Sequence, residues 1–444
     1  MKDDRIPLLG LGDPITWITG FARVMREIFG HVSRDRFRLA YLSRGWIGQG
    51  VRLGFPTYSA QDHDVYCADA YPLAAQDFGL PHILLTLTDP YQIGWLSHPG
   101  KSPLKTSRSE EFITRYRDQI RWIGHFPVDG EGMNGPPLWF DEFLNGPDFT
   151  VFMSEWGQDM MARFMKKPHR FISHAVSDAF RPLNRDKAKE ELEKRFEDRM
   201  FELAIGTDNA SPGYARARTF RFNRFVILSV MANRSRKYWP LVLAAFKKFI
   251  DSGIDAGLVG VCGDPHGITD DSWSLIDLAQ RLGLRVAGID DNPNVWLVGQ
   301  IGSGRVEDDD VQFANLMAAC DHTTMPTAGE GFGLPQLEAH ACGLPCTVGK
   351  YSASIELAVH SREFILPRGF GYAGNNVVKR PVYSVGDLAE AFQYSYNNPN
   401  WRTEVGLAGV QQAEQRRWSK ILPQWFELFE EAWQGGKTIQ QEGG

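Results

Sequence analysis

Short apolar runs alternate with longer amphipathic stretches along the chain. "RIPLLGLG" predicts a strand that leads into a loop. "TGFARVMREIFGHV" then sets Phe21, Val24, Met25 and Ile28 at helical spacing, with Gly20 near the start of the helix. "HILLTLTD" (His82 to Asp89) predicts a buried strand, and "DFTVFMSEWGQDMMARFM" a strand, a turn and a helix. "RFISHAVSDAF" predicts a strand ending in a loop. Strands alternating with helices predict a parallel sheet covered by helices on both faces.

A charged helix, "KAKEELEKRFEDRMFEL", comes next, followed by the polar, Gly- and Pro-containing "GTDNASPGYARARTFRFNR". This composition places the inter-domain connection here. The rhythm then restarts. "RFVILSVMA", "AGLVGVCGD", "NVWLVGQI" and "LPCTVGK" read as strands. "YWPLVLAAFKKFIDSG", "SWSLIDLAQRLGL", "DDDVQFANLMAACD" and "LPQLEAHACG" read as helices between and around them. The second half is thus a second doubly wound α/β domain. The segment "LAGVQQAEQRRWSKILPQWFELFEEAWQ" predicts helices with a break at Pro423, and the tail "GGKTIQQEGG" predicts disorder. The resulting division is 1–205, 206–404, C-terminal helices 405–434 and a tail 435–444. Two α/β domains in tandem place a cleft between them, and ligands of such sheets bind beyond the carboxyl ends of the strands.

Composition narrows the class. The 444 residues exceed one ordinary domain, and 43% hydrophobic with 23% charged residues is normal for a soluble globular chain. A formal net charge of -6 disfavours a dedicated non-specific nucleic-acid binder. The basic stretches "RFMKKPHR" and "RARTFRFNR" read as solvated faces. Five cysteines, Cys67, Cys262, Cys320, Cys342 and Cys346, fit a reducing compartment without a disulfide framework. "CGLPC" lacks the second ligand pair that zinc needs. "MKDDRIPLLG" has no long apolar core, and no run is long enough to span a bilayer. The expected location is cytoplasmic, with contact at a membrane surface left open.

The chemistry concentrates in "GEGFGLPQLE", residues 329–338. Gly331 and Gly333 permit unusual backbone geometry and close approach of a ligand. Pro335 suits the first turn of a helix. Free N–H groups at that helix start favour a phosphate. Glu338 lies about one turn in, where a carboxylate would be repelled by a diphosphate but can accept from sugar or ribose hydroxyls. Glu330, in the loop, can face a sugar. These parts describe a site for a nucleoside diphosphate carrying a sugar.

"EGFGLPQLEAHACGLPCTVG" resembles the signature of the family-4 retaining glycosyltransferases, which has two glutamates separated by seven residues. Over more of the chain the likeness is weaker. "HAVSDAFRP" resembles the family's His-Gly-Val-Asp segment, with Ala175 and Ser177 in place of Gly and Asp, and "RRWSKILPQWFELFEEAW" resembles helices that cross back onto the first domain. The resemblance implies the GT-B fold: two Rossmann-like doubly wound domains facing across a cleft. It also implies metal-independent, retaining transfer without a cofactor, by front-face attack in which the leaving phosphate takes the acceptor proton. By that likeness Glu338 would hold the ribose hydroxyls, and Glu330 the donor sugar near the reacting carbon. Backbone amides of Phe332, Gly333 and Leu334, beside Gly331, would hold sugar hydroxyls and phosphate. Gly20 would let the first helix approach the diphosphate, and His125 in "WIGHFPVDG" would help to position the sugar. Lys237 in "MANRSRKYW" matches the family's diphosphate lysine. The arginine five residues before it is Ala232 here, which leaves Arg234, Arg236 or a different grip; Arg234 is taken as the contact.

Other features weigh less. "EDDD" (307–310) reads as a helix start and not as a metal site. His174 and His340 read as structural. Of Trp17, Trp46, Trp95, Trp122, Trp139 and Trp156, most read as core. The expected function is sugar transfer from a nucleoside-diphosphate sugar to a hydroxyl of a glycan or lipid-linked glycan. A nucleic-acid base or a protein as acceptor is the alternative of the same chemistry. A non-catalytic nucleotide-sugar-binding subunit is the alternative of another class.

Overall fold

The structure, a computed structural model, describes residues 3–442 apart from 18, 46–52, 62, 99, 139, 141–143, 205–218, 268, 270, 300–305 and 375–376. Contacts divide the chain into two units. The first comprises Met1–Ala175, Tyr372–Lys379 and Trp418–Gly444; the second comprises Val176–Gly371 and Arg380–Arg417.

In the first unit seven strands form one sheet in the order β3-β2-β1-β4-β5-β6-β7. They are β1 (Ile6–Gly12), β2 (Phe37–Ser43), β3 (Thr57–Ser59), β4 (His82–Leu87), β5 (Ile120–Phe126), β6 (Phe149–Phe152) and β7 (His169–Phe171). Every neighbouring pair is parallel. β1 and β4 are buried at every position, which is why they read as continuous apolar runs and do not alternate. The crossover helices include Gly20–His31, Ala70–Phe78, Ser107–Tyr116 and Glu155–Ala162. Leu9, Leu42, Leu84, Trp95, Trp122 and Phe152 are central to the core.

The last helix, Trp418–Glu442, also belongs to this unit. Trp425 packs edge-on against His125 at 5.0 Å between ring centroids, and Phe429 against Phe37 at 5.9 Å. Arg36 and Arg170 donate to Glu430 and Glu431, each at 2.5 Å. The expected break at Pro423 does not occur: the proline lies inside this helix. One missing N–H is outweighed by the buried face of Ile421, Leu422, Trp425, Leu428, Phe429 and Ala432 around it. The helix also runs on to Glu442, through most of the tail expected to be disordered, because extending a formed helix costs far less than starting one.

The second unit holds six parallel strands in the order β10-β9-β8-β11-β12-β13. They are β8 (Phe225–Val230), β9 (Ala256–Val261), β10 (Val295–Val298), β11 (His322–Met325), β12 (Cys346–Gly349) and β13 (Phe364–Ile365). A hairpin, β14 (Gly369–Ala373) and β15 (Val378–Val382), forms a separate two-stranded sheet. Its end, Tyr372–Lys379, is counted with the first unit.

The contact division falls at Ala175/Val176, earlier than the boundary at 205 that composition suggested. The charged helix Arg185–Ala204 therefore lies in the second unit, where Arg185 donates to Asp321 Oδ1 at 2.7 Å and to the Cys320 carbonyl at 2.8 Å. The second division falls at Arg417/Trp418, so the helix Pro399–Glu414 also stays with the second unit.

That helix packs on the helix Leu334–Ala341 through glycines. A Cβ on Gly406 would lie 2.2 Å from the Gly343 carbonyl oxygen, and one on Gly409 3.0 Å from His340 Cβ. Gly406→Ala is therefore expected to force the two helices apart and cost about 2 kcal/mol. An unchanged urea midpoint for that variant would remove this packing argument.

Candidate functional site

In the second sheet β8 is flanked by β9 on one side and β11 on the other, so the strand order reverses at the β8–β11 pair. Ligands of doubly wound sheets bind beyond the carboxyl ends of strands at such a point. The loops leaving these two strands carry Ser235–Lys237 and 327–333, and they are bonded to each other. Ala328 N donates to the Arg236 carbonyl at 2.8 Å, and Arg236 Nη1 donates to the Gly329 carbonyl at 2.8 Å. Lys237 Nζ donates to Glu330 Oε1 in a short ion pair whose side chains are each 12% exposed.

Burial pushes the Glu330 carboxyl up. Lys237, and after it Arg236, outweigh burial and leave it below its ordinary value, with Thr327 also donating to it. Glu330 is thus a buried carboxylate kept ionised by cations. Its backbone N–H donates to Ser352 Oγ at 2.8 Å.

After this loop the chain enters the helix Leu334–Ala341. Gly333 is the N-cap at φ 103°, ψ 49°, a region that a Cβ disfavours, and Pro335 sits in the first turn. Phe332 is buried, while Gly331 and Leu334 are half-buried. Glu338 lies one turn in and is 1% exposed. The Cys342 thiol is pushed up by burial first and by the Glu338 charge second, which places that carboxylate beside it. The same helix is pinned from below: His340 Nε2 and Glu363 Oε1 are 2.8 Å apart, both side chains fully buried, and Glu363 also accepts from the backbone of Cys346, Val359 and His360. His340 is structural.

The second unit therefore brings Lys237, Glu330, Gly331, Phe332, Gly333, Leu334 and Glu338 into one segment of structure. Arg234 is turned elsewhere: it is exposed, and its Nη1 donates to Thr269 Oγ1 at 3.1 Å. Arg236 is the arginine set against the loop. Ser352 was missed by the sequence reading, although it follows β12 and so lies where strand-end logic looks for site residues.

Gly20 and His125 lie in the first unit. Gly20 opens its helix behind Thr19, whose hydroxyl accepts from Ala22 N at 3.2 Å and donates to Asp13 Oδ2 at 2.7 Å. His125 is fully buried on β5. Its Nδ1–H donates to the Val151 carbonyl at 3.1 Å, which leaves Nε2 to accept from His174 Nε2 at 2.9 Å. Burial lowers the His125 pKa to about 4, so the ring is neutral. Both nitrogens thus have partners within their own unit.

The acidic run at 307–310 opens the helix Val306–Ala319, with the side chains of 307–309 outside the described residues. Among the described residues no group of three or more His, Cys, Asp or Glu could hold a metal ion, and no helix is long and apolar enough to cross a membrane. All five cysteines are free and buried. Trp95 and Trp122 are core, Trp156 packs against the core, Trp17 is exposed, and Trp46 and Trp139 lie outside the described residues.

Sucrose-phosphate synthase from Thermosynechococcus elongatus superposes with a TM-score of 0.69 at 16% identity, over 97% of this chain and 100% of that one. The chain has the GT-B fold. A second GT-B structure, the Anabaena protein HepE in complex with UDP and glucose, gives a TM-score of 0.62 at 15% identity, covering 96% of this chain and 100% of that one. A glycosyltransferase from Rickettsia africae gives 0.63 at 14% identity, covering 97% and 99%. In sequence, 121 residues are 28% identical to D-inositol 3-phosphate glycosyltransferase from Pseudarthrobacter chlorophenolicus. That match spans 27% of this chain and 26% of the curated relative. No family model matches the sequence.

Proposed function

We propose that the chain is a retaining glycosyltransferase that moves a sugar from a nucleoside-diphosphate sugar to a hydroxyl of a glycan or lipid-linked acceptor. The observation that carries this reading is the buried Lys237–Glu330 pair at the strand-order reversal, directly before a glycine-capped helix start. HepE, of the same fold, is described with UDP and glucose bound, which supports a sugar nucleotide as donor. The 28% identity to an inositol phosphate glycosyltransferase supports the same class.

On this reading the diphosphate lies against the loop and the helix start, where N–H groups and the helix dipole favour an anion. Lys237 has three donors, so it can hold Glu330 with one and a phosphate oxygen with another. As the bond from sugar to phosphate breaks, negative charge grows on the diphosphate, and Lys237 and Arg236 stabilise it. The leaving phosphate takes the proton of the acceptor hydroxyl, which attacks from the same face. Glu330 holds the donor sugar. His125 is neutral, and both of its ring nitrogens are bonded to Val151 and His174 within the first unit.

Glu338 is assigned to the ribose hydroxyls. Glu338→Ala is expected to weaken binding of the best nucleoside diphosphate by about tenfold, the loss of one or two hydrogen bonds to a charged group. Calorimetric titration beside a melting curve separates this from a purely structural role, in which stability falls and affinity does not. The broad test is a panel of UDP-, GDP-, ADP- and TDP-sugars assayed for donor hydrolysis and binding. Turnover of one donor supports the proposal. Binding without turnover across many acceptors points to a carrier subunit, and no binding at all sinks both.

A further inference from the structure

β13 is the edge strand of the second sheet. The Ile365 carbonyl accepts from Lys350 N at 2.9 Å, on the side of β12. In a strand the residue after an inward-bonded one turns its N–H and C=O outward. At Leu366, which follows, neither group has a partner among the described residues, and the residue is exposed. Beside this edge runs a groove of about 620 Å³. One wall is the chain from Phe364 to Pro367. The other is the helix Val385–Asn397, which offers Asp387, Glu390, Ala391 and Tyr394 at the spacing of a single face.

Three cations line the groove, Lys350, Arg362 and Arg368. Arg368 donates to Asp387 through Nε at 2.6 Å and also through Nη2, and it faces the charge of Glu390 as well. The helix carboxylates are thus set against Arg368. Lys350 and Arg362 are exposed and make no ion pair among the described residues. Each lies over an aromatic ring: Lys350 Nζ is 5.5 Å from the centre of Phe364, and Arg362 Cζ 4.8 Å from that of Tyr394.

We propose that this groove docks an extended acidic segment of a partner protein, which lies along β13 as an added strand and sets carboxylates against Lys350 and Arg362. An added strand supplies the donor and the acceptor that Leu366 lacks. Its carboxylates supply the counter-charge that the two cations lack, and so select the partner. An anionic membrane would meet the cations but leave the Leu366 backbone pair unbonded. The proposal does not depend on the donor-site reading.

The test uses the full chain and a labelled short peptide alternating glutamate and valine, followed by fluorescence anisotropy. The peptide is expected to bind, less tightly as salt rises, and to slow hydrogen exchange at the Leu366 amide. A variant carrying both Lys350→Gln and Arg362→Gln should bind it about tenfold more weakly with an unchanged melting curve, because neither side chain holds an ion pair. A peptide alternating lysine and valine should not bind, and N-methylation of the central amides of the glutamate peptide should weaken it about as much as the double substitution. Equal affinity of wild type and the double variant overturns the proposal, as does equal affinity of the N-methylated peptide, which is measured on wild type alone. Failure of the glutamate peptide to bind overturns it too. Phosphatidylserine vesicles are the last probe: binding to them that needs Lys350 and Arg362, without binding of the peptide, gives this surface to a membrane instead.

Discussion

Glu330→Gln is expected to lower sugar transfer by at least 100-fold while leaving the chain folded. Removing one preorganised electrostatic partner of a reacting group typically costs about 10²–10³ in rate. On the reading proposed above Glu330 holds the donor sugar, and it pairs with Lys237 through the short ion pair. The glutamine keeps the shape and the bond from its backbone to Ser352, but lacks the charge that pairs with the ammonium. Lys237→Ala is expected to cost as much activity, and in addition about 3 kcal/mol of stability, because it strips the nearest cation from a buried carboxylate. The asymmetry between the two variants is the diagnostic: similar rates, different urea midpoints. Near wild-type transfer by both variants would end the assignment.

The second large effect is acid sensitivity. His82, His125 and His322 are fully buried, with pKa values lowered by burial to about 4, about 4 and about 3. Each is neutral and bonded in the fold: His82 to Gly79 and Tyr71, His125 to Val151 and His174, His322 to Thr347 and Ser395. In the unfolded chain they take up a proton near the ordinary value of 6.5. Their contribution is complete above about pH 6.5 and is lost as the pH falls from there towards 4, since the unfolded state then binds more protons than the native one. The slope is about 1.4 kcal/mol per pH unit for each histidine. His82 and His125 lie in the first unit, as does His174, also lowered by burial, whereas His322 lies in the second. The first unit is therefore expected to lose stability about three times as steeply on acidification. Urea titrations at pH 8, 7, 6 and 5, followed by tryptophan fluorescence and by hydrogen exchange of each unit, measure this. Midpoints that do not move between pH 7 and 5 would contradict it.

Several features of this molecule could be read from local pattern alone. Strands such as β4 and β8 are buried on both faces, so they appear as unbroken apolar runs that need no partner to be recognised. The start of the helix at Leu334 was legible from Gly333 and Pro335, whose backbone preferences are intrinsic. Pro423 misled for the opposite reason: the intrinsic penalty was real, but the packing of Trp425 and Phe429 exceeded it. Composition places the division at 205, after the charged helix, whereas the contact division at Ala175 groups that helix with Asp321, to which its Arg185 donates.

By itself the sequence determined the repeated strand–helix rhythm of a two-domain α/β chain and the position of a phosphate-friendly helix start flanked by two glutamates. These depend on neighbours a few residues apart and on the backbone preferences of glycine and proline. Only the tertiary structure decided which cations meet that loop. Lys237 lies 93 residues from Glu330, and Arg236 93 from Gly329. Nothing local distinguishes Arg236 from Arg234, yet one faces the loop and the other faces Thr269. The same holds for His125, whose burial against His174 and Trp425 depends on elements far apart in the chain. Charge acts through space, and the distances that fix its effect exist only once the chain has folded.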